Sequence, residues 1–425
     1  NEFSVASYTG NGTASVTYNV DHTFDALTVS GSLKGSGDIT VTGSLVWTSS
    51  MSGSGRTILS SGATATVSGG ASLSRTFENH GTANVTSGAI SGGTFLNEAG
   101  SLFTVSGNAN LWAMTSFVND GTMQISPSGS RRMQAVSFVN NGLFQLLSGE
   151  FDLGGAHCCL QFSSTNNGTM DVAAGATLRT ESDFDQSSSG AVTGAGTFGL
   201  KGGSGTIAGL FQPSGFTSTS GNYTFEPGAF DALDSVAISG GTLVINDVVD
   251  VPSYTGNGSA SVTFNANQSF DTLTVSGSLK GSGDVTVTNA LTWTGSMSGS
   301  GRTILTAGAT GAVGIGGSLS RTFENHGAVS LSSGSISGGT FLNEVGATFT
   351  AAGNSNLYAM TSFVNDGTMQ MSPSGSRRMQ AISFVNNGTF EVLTGEFNLG
   401  GAHCCLQFSA TNHGTMQVAA GAVLQ

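Results

Sequence analysis

The sequence predicts an all-β fold of the parallel β-helix (β-solenoid) type, and three observations carry that prediction. The first is composition. Charged residues are only 9 % of the 425, against roughly 25 % in ordinary soluble domains. Strong helix formers are therefore scarce, while Val, Thr, Ile and Phe, which favour strands, are plentiful. The second is a long internal repeat. Residues 7–179 align without a gap onto 253–425 at an offset of 246, with 129 identities in 173 positions. The third is a shorter period of about 18–24 residues inside each copy, the spacing of coils in a solenoid.

Other classes are excluded on the same numbers. Gly is 65 and Pro 5 of 425 residues, which is not collagen. With 38 % hydrophobic residues the chain can bury a core, so general disorder is not expected. The net charge of −13, with 12 basic residues, offers no footprint for nucleic acid or anionic membranes. No apolar run approaches the roughly 18–20 residues of a membrane helix. The chain starts at Asn1 without a leader pattern, as expected of a mature product or an excised segment. Its only lysines are Lys34, Lys201 and Lys280, and with Ser, Thr, Asn and Gly abundant it is expected to be secreted, extracellular or on a cell surface.

The units are expected at 1–252, where 180–252 completes the first period, and at 253–425 as a truncated second copy. No flexible linker is expected between them. Along the first unit, Ile39-Thr40-Val41-Thr42 alternates as a half-buried strand does. Leu33-Lys34-Gly35-Ser36-Gly37-Asp38 matches Met51-Ser52-Gly53-Ser54-Gly55-Arg56 at a spacing of 18, which sets Asp38 one coil from Arg56.

A Phe-x-Asn motif then recurs. Phe77 and Asn79, Phe95 and Asn97, Phe117 and Asn119, and Phe138 and Asn140 are separated by 18, 22 and 21 residues. Phe162 follows as a fifth member. The second copy has Phe323 with Asn325, Phe341 with Asn343, Phe363 with Asn365, Phe384 with Asn386, and then Phe408. Stacked coils place Phe on Phe and Asn on Asn, giving an internal aromatic ladder and an amide ladder. Glycines after each Asn allow the positive φ of tight corners. With strands about 4.8 Å apart, a unit of on the order of 12 coils would span about 60 Å. The winding is expected to be right-handed. Two flat sandwiches are the competing architecture, but they do not explain coil-to-coil repetition.

Candidate chemistry is sparse. Arg131-Arg132, repeated as Arg377-Arg378, follows Ser-Pro-Ser-Gly-Ser turns. These arginines are expected to pair with Glu150 and Asp152 and with Glu396, or to touch acidic surfaces of neighbouring molecules. Glu150 and Asp152 could suggest a carboxylate dyad, but Asp152 becomes Asn398 in the second copy, so catalysis is not expected. The acidic group around Glu181, Asp183 and Asp185 reads as a solvated face with at most weak calcium affinity. Gly194-Ala195-Gly196-Thr197-Phe198-Gly199 matches a dinucleotide fingerprint only as a string, because no helix is expected after it. No cofactor and no metal site is expected.

His157-Cys158-Cys159 and His403-Cys404-Cys405 are the least usual residues. They leave open free thiols, a vicinal disulfide within Cys158-Cys159 or Cys404-Cys405, or interchain bonds; one His-Cys-Cys gives too few ligands for zinc.

The stretch from Leu27 through Trp47, Met51 and Gly55, and on through the Phe-x-Asn coils to Val172-Ala173-Ala174-Gly175-Ala176, resembles the bacterial extracellular β-strand-repeat proteins. These are similar in style to filamentous-haemagglutinin-type adhesins. The resemblance implies a stalk, fibre or adhesin shaft without catalytic residues. Its expected partners are further copies of the chain, end to end or laterally, and surface glycans or other cells. The repeated His-Cys-Cys departs from that pattern. The alternative from another class is a carbohydrate-binding or polysaccharide-cleaving parallel β-helix.

Overall fold

The computed structural model describes residues 6–10, 12–155, 162–231, 233–400 and 408–425. Every secondary-structure element among them is a strand, and the strand pairs run parallel. The chain is a β-solenoid, as its composition and short period predict. It forms two compact units, Asn1–Leu233 and Asp234–Gln425; the sequence period divides at 252/253.

One turn of the first unit shows how the solenoid is built. In strand Ser130–Asn140, the first four residues pair with Glu150–Leu153 one turn later, and the last four pair with Ser163–Asn166. Strand Leu143–Leu146 pairs with Thr169–Val172. Each turn therefore lays down three short strands on three faces, and each face continues into the next turn. The second unit repeats this, with Ser376–Asn386 against Glu396–Leu399 and Ser409–Asn412, and Thr389–Val392 against Thr415–Val418.

Strict alternation sends every second side chain inward. Thr64–Val67 reads exposed, buried, exposed, buried, and Thr82–Val85 and Leu143–Leu146 follow the same period. Their inward residues join Trp47, Phe77, Phe103 and Leu111 in one interior, where full burial of such a side chain is worth about 1.5–3 kcal/mol. Trp47 on the third face reaches across to Phe77 on the second, their rings parallel within 11° and 5.6 Å apart. The Trp47 indole N–H, buried with its ring, donates to the Ser49 carbonyl at 2.6 Å.

Two Gly-Ser-Gly corners explain the spacing-18 match. Leu33 pairs with Met51 in register. Above them, a Cβ on Gly55 would lie 2.1 Å from the Gly37 carbonyl oxygen, and one on Gly53 would lie 2.1 Å from that of Gly35. Each corner needs glycine because a Cβ would strike the backbone carbonyl of the turn beneath, as it also would at Gly35 over Tyr18 and Gly37 over Val20.

Candidate functional site

The residues singled out by the sequence meet in the interior of the second face. Asn79, Asn97, Asn119, Asn140 and Asn166 occupy one register column. Each amide donates to the next. Asn79 Nδ2 reaches Asn97 Oδ1 at 2.7 Å, Asn97 reaches Asn119 at 2.7 Å, Asn119 reaches Asn140 at 2.7 Å, and Asn140 reaches Asn166 at 2.8 Å. The second N–H of each amide serves the backbone, at the carbonyls of Leu102, Thr122, Leu143 and Thr169. The second unit has the same ladder through Asn325, Asn343, Asn365, Asn386 and Asn412, with links of 2.7–2.8 Å. A buried amide is costly unless bonded; here the partner is the same residue one turn on.

Beside it runs the aromatic column. Phe77, Phe95 and Phe117 stack at 5.0 and 4.9 Å with planes within 16°, and Phe138 ends the run at 6.0 Å and a tilt of 58°. Phe323, Phe341, Phe363 and Phe384 repeat it at 5.0, 5.0 and 6.2 Å. The expectation that Phe162 continues this column is overturned. The ladder register is set by Asn140 over Asn166, which puts Ser164 against Phe138 and leaves Phe162 two residues early. In the second unit Ala410 takes the place expected of Phe408.

The charged residues form clamps across turns. Arg56 donates through Nη2 to Asp38 at 2.6 Å and through Nη1 to Glu78 at 3.1 Å. Arg302 does the same with Asp284 and Glu324 at 2.5 and 3.1 Å. The Arg56 guanidinium holds the Asp38 carboxyl below its ordinary value, chiefly by hydrogen bonding, and Arg302 does so for Asp284. In the acidic group, Lys201 Nζ meets Glu181 at 2.6 Å.

The pairing expected of Arg131 and Arg132 is corrected. Glu150 and Asp152 are both taken by Arg179 from the following turn, at 2.6 and 2.7 Å. Arg131 turns the other way and donates to Asn108, as Arg377 does to Asn354. Arg132 is in register with Asp152, and Arg378 with Asn398, without an ion pair. Glu396 is bonded instead by Ser376 and Asn398, at 2.8 and 3.0 Å. Arg179 escaped the sequence reading because a long turn separates it from the acids it binds. The two carboxylates thus share one guanidinium. Gly194–Gly199 lies inside strand Ala191–Leu200, with no helix after it. Cys158, Cys159, Cys404 and Cys405 lie outside the described residues.

One constellation was missed by the sequence reading. Arg75 is 5 % exposed and Arg321 4 %. Their Nη2 groups donate to the Gly37 and Arg56 carbonyls at 2.9 and 2.7 Å, and to those of Gly283 and Arg302 at 2.8 Å each. Nε of each, and Nη1 of Arg75, are buried and have no hydrogen-bond partner among the described residues. Burial pushes both arginines down from their ordinary value, Arg321 to about 10. Each forms part of the wall of an open cavity, of about 590 Å³ at Arg75 and about 580 Å³ at Arg321. The signal was parity: Leu73, Arg75, Phe77 and Asn79 alternate on the inward side of one strand.

Comparison of the chain with models of known protein families and with curated proteins gives no match.

Proposed function

We propose that this β-solenoid is a structural segment of an extracellular fibre or adhesin stalk, of the bacterial β-strand-repeat kind, which associates with further copies of itself end to end or laterally. The observation that carries the reading is the pair of internal ladders, built alike in both units. Hydrogen bonds, amides and rings all run from turn to turn, so each turn is held by its neighbours rather than by a separate core. Lateral association is supported by apolar side chains exposed at equivalent places in both units: Val136 and Leu147, Ile382 and Leu393. Low surface charge favours close packing, and Arg131, Arg132, Arg377 and Arg378 supply cations toward the acidic surface of a neighbour.

Electron microscopy of the unfixed protein, with and without reductant, tests this. Filaments with an axial repeat near 60 Å or a multiple of it are expected. Loss of filaments on reduction would assign Cys158, Cys159, Cys404 and Cys405 to interchain bonds. Discrete particles that never join at any concentration would overturn the reading. The second reading, a carbohydrate-binding solenoid, is favoured by the two arginine cavities.

A further inference from the structure

Four features converge at Arg75 and again at Arg321. The first is a buried cation with no ion pair among the described residues. The acids near Arg75 are spent elsewhere, since Asp38 and Glu78 both bind Arg56, and no carboxylate contacts the Arg75 guanidinium. A buried charge in that state is unfavourable. The second is a set of fully buried donors that have no partner among the described residues, Nε and Nη1 of Arg75 and Nε of Arg321.

The third feature is the cavity itself. It opens where the first face turns into the second, and its wall carries the hydroxyl side chains of Ser54, Ser74, Thr76, Thr94 and Thr115. Arg75 is the only charged residue lining it, and Arg321 holds the same place in its counterpart. Each is an open depression rather than an enclosed cleft, which suits one residue of an extended chain. The backbone is shaped to admit the arginine. The strand that supplies Ser54 carries two extra residues between Ser52 and Arg56 relative to its neighbour. A Cβ on Gly55 would lie 2.8 Å from Arg75 Nη2, and one on Gly301 equally close to Arg321 Nη2.

The fourth is an exposed aromatic on the strand paired beside the cavity wall. Gly92, in the cavity wall, donates its N–H to the Trp112 carbonyl at 3.0 Å, and Gly338 does the same to Tyr358. Both rings are 37 % exposed. The residue type changes between copies while the exposed aromatic stays. Beside each, Ala113 and Ala359 hold positive φ of 47° and 48°, a left-handed conformation that non-glycine residues seldom adopt.

A hydroxyl-lined, open cavity over a buried guanidinium, with an exposed aromatic on the adjoining strand, fits a pyranose that carries a negative charge. The guanidinium attracts an oxyanion from beneath the wall, and the hydroxyls exchange hydrogen bonds with the sugar. We propose that the Arg75 and Arg321 cavities are each a binding site for an acidic glycan, recognised through its carboxylate or sulfate. The inference rests on the two cavities alone and is independent of whether chains assemble.

Calorimetric titration of the whole chain tests it, with oligogalacturonate, a sulfated disaccharide and neutral maltotriose as probes at low and high salt. Acidic probes are expected to bind two sites per chain, and maltotriose at least about tenfold more weakly. Binding should weaken as salt rises. The carboxylated and sulfated arms tell which oxyanion is preferred. Arg75→Gln and Arg321→Gln should each remove one site. Because a buried arginine can matter for folding, the Ser54→Phe/Ser300→Phe variant fills both cavities from exposed positions. It should abolish binding with an unchanged melting curve. Equal affinity for neutral and acidic sugars, no binding by any probe, or unchanged binding by the filled variant would each overturn the proposal.

Discussion

Asn97 donates to Asn119 at 2.7 Å, and both amides are buried and also bonded to the backbone of the next corner. Neither side chain has a free donor. Stability at this column is therefore a property of the pair and not of either residue.

Replacing Asn119 with Ala should leave Asn140 Oδ1 and the Leu143 carbonyl without their donor and cost about 2–4 kcal/mol. Hydrogen exchange is the suitable readout, because a stack of turns need not unfold in one step. Faster exchange is expected first in Thr94–Asn97 and at the ends of Asn110–Asn119 and Ser130–Asn140. Uniform exchange across the chain would contradict a local ladder.

Phe117 packs on Phe95 at 4.9 Å and Phe103 at 5.2 Å. Its removal in Phe117→Ala should destabilise the turn by about 3–5 kcal/mol, read as a lowered thermal midpoint. An unchanged melt would rule out its inward position.

How much of this was readable in advance depends on the kind of contact. The Phe and Asn columns were legible because like meets like at the coil spacing. The Trp47–Phe77 stack was not, since it joins different faces and no spacing records a contact across the interior. Phe162 misled because ring spacing was followed where the amide sets the register. Arg75 was passed over, although its parity with Leu73 and Phe77 marks it as inward.

Acid should loosen the Asp38–Arg56 and Asp284–Arg302 clamps. Both carboxyls titrate below their ordinary 3.8. Their contribution is therefore complete above that value and is lost as pH falls through the lower folded-state value. Because the pairs are partly exposed, each is worth no more than about 1 kcal/mol. Melting curves from about pH 5 down to pH 2 should fall less steeply for Asp38→Asn/Asp284→Asn than for the parent chain. Superimposable profiles would mean that the clamps do not matter.

Asp152 is only 3 % exposed and depends on Arg179. Arg179→Met should cost about 3–5 kcal/mol by stranding a buried carboxylate. Adding Asp152→Asn should recover much of the loss, since the equivalent Asn398 is accommodated without any arginine, bonding Ser376 and Glu396. A double variant no more stable than the single one would show that Arg179 acts by packing alone.

Successive members of the amide column are 18, 22, 21 and 26 residues apart, yet each link is 2.7–2.8 Å long. Where Ser164 and Ala410 interrupt the rings, the asparagines still meet. Within this column a turn is thus free in length so long as it returns its asparagine to the same place. Differences in length between these fixed points are accommodated without moving the column. The longest of these intervals, between Asn140 and Asn166, is the one that contains His157-Cys158-Cys159. Such a scaffold lets a lineage experiment with its periphery without renegotiating its fold.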